Sequence, residues 1–464
     1  MKQFTNEVLE SLFHAYDIRG QEQDGLGEEF YEQLGMAFVT FLDAQKIILG
    51  YDIRPESQIY HQAFIKGATS LGCDVLNIGE IATEMMYYAS GKYEEYDGAA
   101  TVTASHNPAG WNGCKMVRSG AKAISKDSGL VDIKEIMLNQ SYRESTGQGS
   151  VSELDIYPEY KARILEYFEG VELKPLKLIV DAGNGIGGKL WDYIFDDVPF
   201  EVEKMYFEPD GSFPNHVPDP LKEENVAEIR EKCLNQDIDL GIAIDGDGDR
   251  VFFIDDEGRN PSGVYTGSII ARYLLKTNPG RIIIHDPRVT WPVEKEVIKA
   301  GGKPFAIKAG HSFFKESMYK EKGLFGIEMS SHFYYSDMYN ADIGMSTIAI
   351  VLKMILEGID FKKELDYFYE NYPMSGEVNY QVESVPATLE KVEKEFNDAK
   401  ISHIDGLSVE YEDWRFNLRG SNTQPLIRLN LEAKDKSTII EKFKLIEELI
   451  GGTRDNVPPM PELR

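Results

Sequence analysis

Residues 245–250 read Asp-Gly-Asp-Gly-Asp-Arg, three carboxylates at alternate positions, spaced by glycine and closed by an arginine. Carboxylates this close repel one another, so the run calls for a neutralising partner. A hard divalent cation such as Mg2+ or Ca2+ suits it, because such ions take oxygen ligands and a glycine-containing loop can turn alternate side chains toward one point. An EF-hand does not fit. Its loop needs glycine at the sixth position and glutamate at the twelfth, and counting from Asp245 gives Arg250 and Asp256. The flanks, LGIAI and VFFI, are short apolar runs that suit buried strands. The pattern therefore predicts a strand–loop–strand metal site with Asp245, Asp247 and Asp249 as ligands; the competing reading is a solvated acidic turn.

A second stretch with chemical potential is VTASHNPAGWNGCK, residues 102–115, where Ser105 follows an apolar run and opens a His-Asn-Pro turn. It lacks the Gly-x-Ser-x-Gly of a nucleophile elbow, which argues against a hydrolase triad. Taken alone, the serine reads as a capped turn. A third stretch, LIVDAGNGIGGKLWDYIF, carries Gly183-x-Gly185-x-x-Gly188 between a strand and a helix, with Glu201 further on. On its own it would support an NAD-dependent dehydrogenase.

The elements that must hold these residues are legible from periodicity. KIILGYDIR, CDVLNIGE and GAATVTASHN read as strands, separated by the helical patterns HQAFIKGATSLG and EMMYYASGKY. That alternation implies parallel strands with helical crossovers. It restarts at PLKLIVDAGNGIGG and at GRIIIHDPRVTW. From about residue 366 the texture changes to charged helices, ATLEKVEKEFNDA and KSTIIEKFKLIEELIG, around strand-like GLSVEYEDWRFNLRG and PLIRLNLEA, and GGTRDNVPPMPELR reads as an irregular tail. The expected fold is three consecutive α/β domains with mixed sheets sandwiched by helices (1–150, 151–256 and 257–365), then a smaller α+β domain (366–464).

Composition sets further bounds. The 464 residues include 49 Lys+Arg against 78 Asp+Glu, and a net charge of -29 argues against nucleic acid or an anionic membrane as partner. Cys73, Cys114 and Cys233 are widely spaced, so neither a disulfide framework nor a zinc site is indicated, and a reducing cytoplasm is expected. The N-terminal segment lacks a basic stretch followed by an apolar one, and no long apolar run reads as a membrane span.

Considered together, the serine and carboxylate loops resemble those of the α-D-phosphohexomutase superfamily, most closely its bacterial phosphomannomutase/phosphoglucomutase branch. The phosphoserine loop of that family corresponds to Thr103–Pro108 with Asn112, Gly113 and Lys115, and its metal loop to Asp245–Arg250. Its sugar-binding loop corresponds to Gly326–His332, and its phosphate-binding loop to Arg419–Pro425. AYDIRG, FPNHVPDP and KAGHSFFK extend the likeness over nearly the whole chain, and VDAGNGIGG also occurs in the family, which absorbs the dehydrogenase reading. This chain departs from the family at Ile327, Ser331 and Gln424, and at Arg288, where a lysine is common.

The resemblance implies four domains around a central cleft and a mutase that moves phosphate between the two ends of a hexose. Ser105 would carry the phosphoryl group, and one Mg2+ per active site would be held by Asp245, Asp247, Asp249 and the phosphoserine. Lys115 and His311 would move protons, with Arg250 and Arg19 also at the reacting centre and His106 bracing the loop. Glu328, Ser330, His332, Arg288 and Arg428 would bind the substrate, and Arg419, Ser421, Asn422 and Thr423 would grip its non-reacting phosphate. A hexose 1,6-bisphosphate would serve as intermediate and activator, turning end for end while the fourth domain moves. Mannose 6-phosphate and mannose 1-phosphate are the implied substrates, with glucose phosphates also accepted; a main activity as phosphoglucomutase or phosphoglucosamine mutase is the alternative. The implied assembly is a monomer or homodimer.

Overall fold

The computed structural model describes residues 3–420 and 426–455. The chain forms two compact units, Met1–Asn260 with His332–Glu357, and Pro261–Ser331 with Gly358–Arg464.

The first unit opens with a mixed sheet of β1 (Ile18–Gln21), β2 (Lys46–Tyr51), β3 (Asp74–Glu80), β4 (Gly98–Val102), β5 (Trp111–Arg118), β6 (Lys122–Ala123) and β7 (Val151–Glu153). The strand order is β1-β5-β4-β2-β3-β7, with β6 alongside β5. β2 lies parallel to β3 and β4, as the strand–helix alternation predicts, whereas β5 runs antiparallel to both β4 and β1. The change of direction follows from the connection: the loop after β4 is too short for a helical crossover, so the chain doubles straight back. Every residue of β4 is buried, as a strand covered on both faces requires. One core gathers Phe30, Phe38, Phe64, Ile47, Leu49 and Val75 from the sheet and the helices Glu28–Leu42 and Ser57–Ser70.

A second sheet follows, made of β8 (Lys177–Asp181), β9 (Glu201–Met205), β10 (Leu240–Ile244) and β11 (Val251–Ile254) in the order β11-β10-β8-β9. LGIAI and VFFI are buried at every position and pair antiparallel, so the Asp-Gly run is the connection between two core strands.

In the second unit β12 (Ile282–His285) lies parallel to both β13 (Lys303–Ala306) and β14 (Phe325–Ile327). The segment that returns to the first unit forms an antiparallel pair, β15 (Phe333–Tyr335) with β16 (Ala341–Asp342), and the helix Gly344–Leu356. The remainder of the second unit is an antiparallel sheet of β17 (Val378–Gln381), β18 (Lys400–Ser402), β19 (Leu407–Glu410), β20 (Trp414–Gly420), β21 (Leu426–Ala433) and β22 (Thr453–Asp455), in the order β18-β19-β20-β21-β17-β22. Helices Val385–Glu395 and Lys436–Ile450 supply Val392, Ile439, Phe443 and Ile446 to its core.

Three sequence expectations need correction. The tail is not irregular throughout: Thr453–Asp455 pairs with Val378–Gln381, and Arg454 bonds Glu447 over 2.8 Å, a cross-strand and ion-pair fit that local composition does not reveal. The boundary after residue 150 falls early, since β7 lies parallel to β3 of the first sheet. The boundary at 365/366 falls within the helix Phe361–Asn371, whose apolar residues Phe361, Leu365 and Phe368 repeat at helical spacing and are buried straight through it. Among the described residues, no helix is long and apolar enough to cross a membrane.

Candidate active site

Ser105 lies two residues inside the loop that leads from β4 to β5. It is a non-glycine residue with φ +52° and is only 3% exposed. Backbone in this left-handed region is strained for a serine and persists only where surrounding contacts dictate it. Those contacts are present. Ser105 N–H donates to Thr103 Oγ1 over 2.9 Å, and the buried Arg54 donates to the carbonyl oxygens of Ser105 (2.8 Å), Asn107 (2.7 Å), Pro108 (3.0 Å) and Trp111 (2.9 Å). Arg19, bonded to Asp17 over 2.8 Å, reaches Asn107 Oδ1 at 2.5 Å. The Ser105 hydroxyl sits 3.2 Å from His106 Nδ1. Burial, then Arg250 and Arg19, hold the His106 imidazole well below its usual pKa, so it faces the serine as a neutral ring.

The carboxylate loop packs directly on this turn: a Cβ at Gly246 would lie 2.6 Å from the Ser105 carbonyl oxygen, so only glycine allows the approach. Asp245, Asp247 and Asp249 are 0–2% exposed, and one oxygen from each lies within 4.8 Å of the others. Asp245 is absorbed by the loop itself, accepting from the Gly248 and Arg250 amides and from Arg250 Nε at 2.9 Å. Arg250, 1% exposed, also meets Asp219 at 3.3 Å. Lys115, on β5, spans Asp247 at 2.7 Å and Asp249 at 2.5 Å. His332 Nε2 stands 3.6 Å from Asp249 Oδ1.

These residues suit a divalent cation. Asp247 Oδ1 and Asp249 Oδ1 are buried yet accept no hydrogen bond among the described residues, a cost that oxygen coordination removes. The three carboxyls are not held alike. Burial pushes the Asp245 carboxyl up, whereas at Asp249 the effect of burial is outweighed by Lys115 and His332, which hold it below the usual range. Burial would lower Lys115, but Asp247 and Asp249 outweigh it and keep the ammonium charged.

The glycine-rich turn at 183–188 has a structural use. A Cβ at Gly185 would meet the Gly246 carbonyl oxygen at 2.7 Å and one at Gly188 the Phe207 carbonyl oxygen at 2.5 Å, so protein backbone fills the space a pyrophosphate would need.

The second unit holds the remaining expected residues. Arg288 donates to Asp286 over 2.8 Å and lies 3.7 Å from Glu328 and 3.8 Å from Glu377; Arg428 lies 3.6 Å from the same Glu377. Asp286 also accepts from the Met329 amide at 2.7 Å, fixing the turn that carries Glu328 and Ser330. Ser331 adopts φ +67°, the conformation a smaller residue would take without strain. His311 opens the helix His311–Lys320. Arg419 pairs with Asp405 at 3.1 Å, and Asp405 also accepts from the Ala309 amide at 3.3 Å. Ser421, Asn422 and Thr423 lie outside the described residues.

Sequence reasoning did not find Arg54, Asp219, Glu377 or Asp405. The signal for Arg54 was available in YDIRPES, a charged residue just past the end of a core strand.

Known proteins match this chain along nearly its whole length. Residues 10–144, 157–258 and 262–372 match the alpha/beta/alpha domains I, II and III of phosphoglucomutase/phosphomannomutase, and residues 377–444 match its C-terminal domain. A phosphomannomutase of Vibrio cholerae is 37% identical over 458 residues, spanning 95% of this chain and 99% of the relative. The chain belongs to the phosphoglucomutase/phosphomannomutase family. Within that family a Salmonella montevideo phosphomannomutase is 38% identical over 452 residues, covering 95% of this chain and 99% of its own. A crystal structure of a phosphoglucomutase/phosphomannomutase family protein from Burkholderia thailandensis superposes with a TM-score of 0.86 at 30% identity, over 96% of this chain and 99% of that one. The four-domain α/β architecture with mixed sheets is the family's own.

Proposed function

We propose that this chain interconverts mannose 6-phosphate and mannose 1-phosphate through a phosphorylated Ser105, accepting glucose phosphates as well. The observation that carries the reading is the approach of two loops: Ser105, held at φ +52°, has its carbonyl against Gly246 of a buried three-carboxylate loop. The names of relatives at 37–38% identity support mannose as the sugar.

In the first half-reaction phospho-Ser105 passes its phosphoryl group to the free hydroxyl of the hexose monophosphate. The P–Oγ bond breaks, a bond to the sugar oxygen forms, and the hydroxyl proton leaves to a base, for which we assign His311. Lys115 is assigned, on its motif, to return a proton to Ser105 Oγ. The hexose 1,6-bisphosphate then turns end for end, and the reverse transfer regenerates phosphoserine. Asp245, Asp247 and Asp249 would hold Mg2+, which when bound offsets charge on the transferring phosphoryl oxygens. Arg250, locked to Asp245 and Asp219, keeps the loop shaped for that ion, and Arg19 braces Asn107 in the serine loop. Glu328 and Ser330 are assigned to the sugar, His332 to a phosphate, and Arg419, Ser421, Asn422 and Thr423 to the non-reacting phosphate, on their motifs, with Arg288 and Arg428 as further substrate-binding residues.

The test is mutase turnover on mannose 1-phosphate and glucose 1-phosphate with Mg2+ and a trace of hexose 1,6-bisphosphate, beside Ser105→Ala. Loss of turnover in the variant supports the phosphoserine cycle, and the ratio of the two rates fixes the sugar preference. No turnover on either sugar, or full activity without Ser105, refutes it.

A further inference from the structure

The helix Gly344–Leu356 begins without a local cap: Ile343 precedes it and offers no side-chain acceptor. Its first amides therefore need a partner from elsewhere. That partner is Glu84, 0% exposed, in the first turn of the helix Thr83–Lys92; the Met345 amide donates to Glu84 Oε2 over 3.1 Å. A carboxyl oxygen at a helix N-terminus satisfies an orphan donor. Gly344 in turn presses on the metal loop, since a Cβ there would lie 2.3 Å from the Gly248 carbonyl oxygen.

The preceding residue grips the same loop from another side. The Thr83 amide donates to the Asp247 carbonyl over 3.0 Å, and Thr83 Oγ1 donates to Asp247 Oδ2 over 2.5 Å. That leaves Asp247 Oδ1 with no hydrogen-bond partner among the described residues. One dipeptide thus fixes the orientation of a buried carboxylate and pins the helix that backs its loop.

We propose that Thr83 and Glu84 are positioning residues for the divalent cation: Thr83 orients Asp247, and Glu84 holds the N-terminus of Gly344–Leu356 against the loop. The proposal rests on reading 245–249 as a metal loop. Hydrogen bonds to ligating carboxylates commonly set metal affinity, and losing one weakens it about 10- to 100-fold.

The experiment measures Mn2+ affinity of the full chain by calorimetric titration, with folding followed by circular dichroism. Thr83→Val, which keeps the shape and the amide bond but removes the hydroxyl, is expected to weaken Mn2+ binding about 10-fold or more, while Thr83→Ser keeps the parent affinity. Glu84→Ala is expected to weaken it similarly, and Glu84→Gln, whose amide oxygen still accepts from Met345, to retain it. Folded Thr83→Val and Glu84→Ala variants that bind Mn2+ like the parent would overturn the proposal, as would a parent that binds no Mn2+. If Glu84→Ala does not fold, the Thr83 pair decides alone. Because the readout is Mn2+ binding, a parent that binds the ion yet turns over no hexose phosphate refutes the mutase reading and leaves this one standing.

Discussion

Arg54 Nη2 donates to the Ser105 carbonyl oxygen over 2.8 Å, and the same guanidinium reaches the carbonyls of Asn107, Pro108 and Trp111. A planar fork with five N–H donors can bind several carbonyls at once, which an ammonium cannot. Its charge is balanced by the buried Asp52 at 3.2 Å. Arg54→Ala, which strands Asp52, is expected to cost about 3–5 kcal/mol of stability. Arg54→Lys is expected to fold but lose most turnover. Denaturant unfolding and steady-state rates check the pair; an active Arg54→Lys would show that the fork is dispensable.

Lys115 is the counter-charge that lets Asp247 and Asp249 stay buried. Replacing it with methionine leaves two carboxylates without that partner and is expected to lower stability by about 3–5 kcal/mol in metal-free buffer. A cation that binds only the folded state restores part of this by mass action. The rise in melting temperature on adding Mg2+ should therefore be larger for Lys115→Met than for the parent. Equal rises would mean that the lysine and the ion do not share the same charge.

Gly246→Ala tests the contact between the two loops. Its Cβ would sit 2.6 Å from backbone that cannot swing aside, so the loops must separate. A misplacement of about 1 Å in a reacting group can cost about 100-fold in rate, and turnover should fall by at least that much while the fold survives. At Gly27 a Cβ would meet nothing within 4 Å, so Gly27→Ala is the control expected to leave turnover unchanged.

Acid stability should carry the signature of His61. It is 0% exposed, on the helix Ser57–Ser70 with its ring 4.8 Å from that of Tyr51, and burial pushes its pKa from 6.5 down to about 4. Above pH 6.5 both folded and unfolded chains are neutral there and the residue has no pH effect. Below it the unfolded chain takes up the proton first, so stability falls with pH until about pH 4, by about 3 kcal/mol in total. Unfolding free energies at pH 7 and pH 5 should differ less in His61→Gln than in the parent; an identical difference would exclude His61 as the source.

Much of the fold and of the candidate site could be read from the chain, and the reason is local. A strand buried on both faces must be apolar throughout, so LGIAI and VFFI declare themselves and the acidic run between them must be a connection. Three carboxylates at alternate positions repel wherever they are placed, so their need for a neutralising partner is a property of the sequence. Ser105 and Lys115 were singled out only through the family resemblance of the stretch that holds both, since each taken alone has a bland reading.

What the sequence alone determined was therefore the layered α/β architecture and the residue types offered for chemistry. The tertiary structure decided how each buried charge is satisfied and so how each loop is held. Arg54 lies 51 residues from Ser105, Thr83 lies 164 from Asp247, and Glu84 lies 261 from Met345. A buried polar group is satisfied by whichever donor or acceptor the fold delivers within about 3 Å. No local pattern along the chain encodes which distant residue that will be.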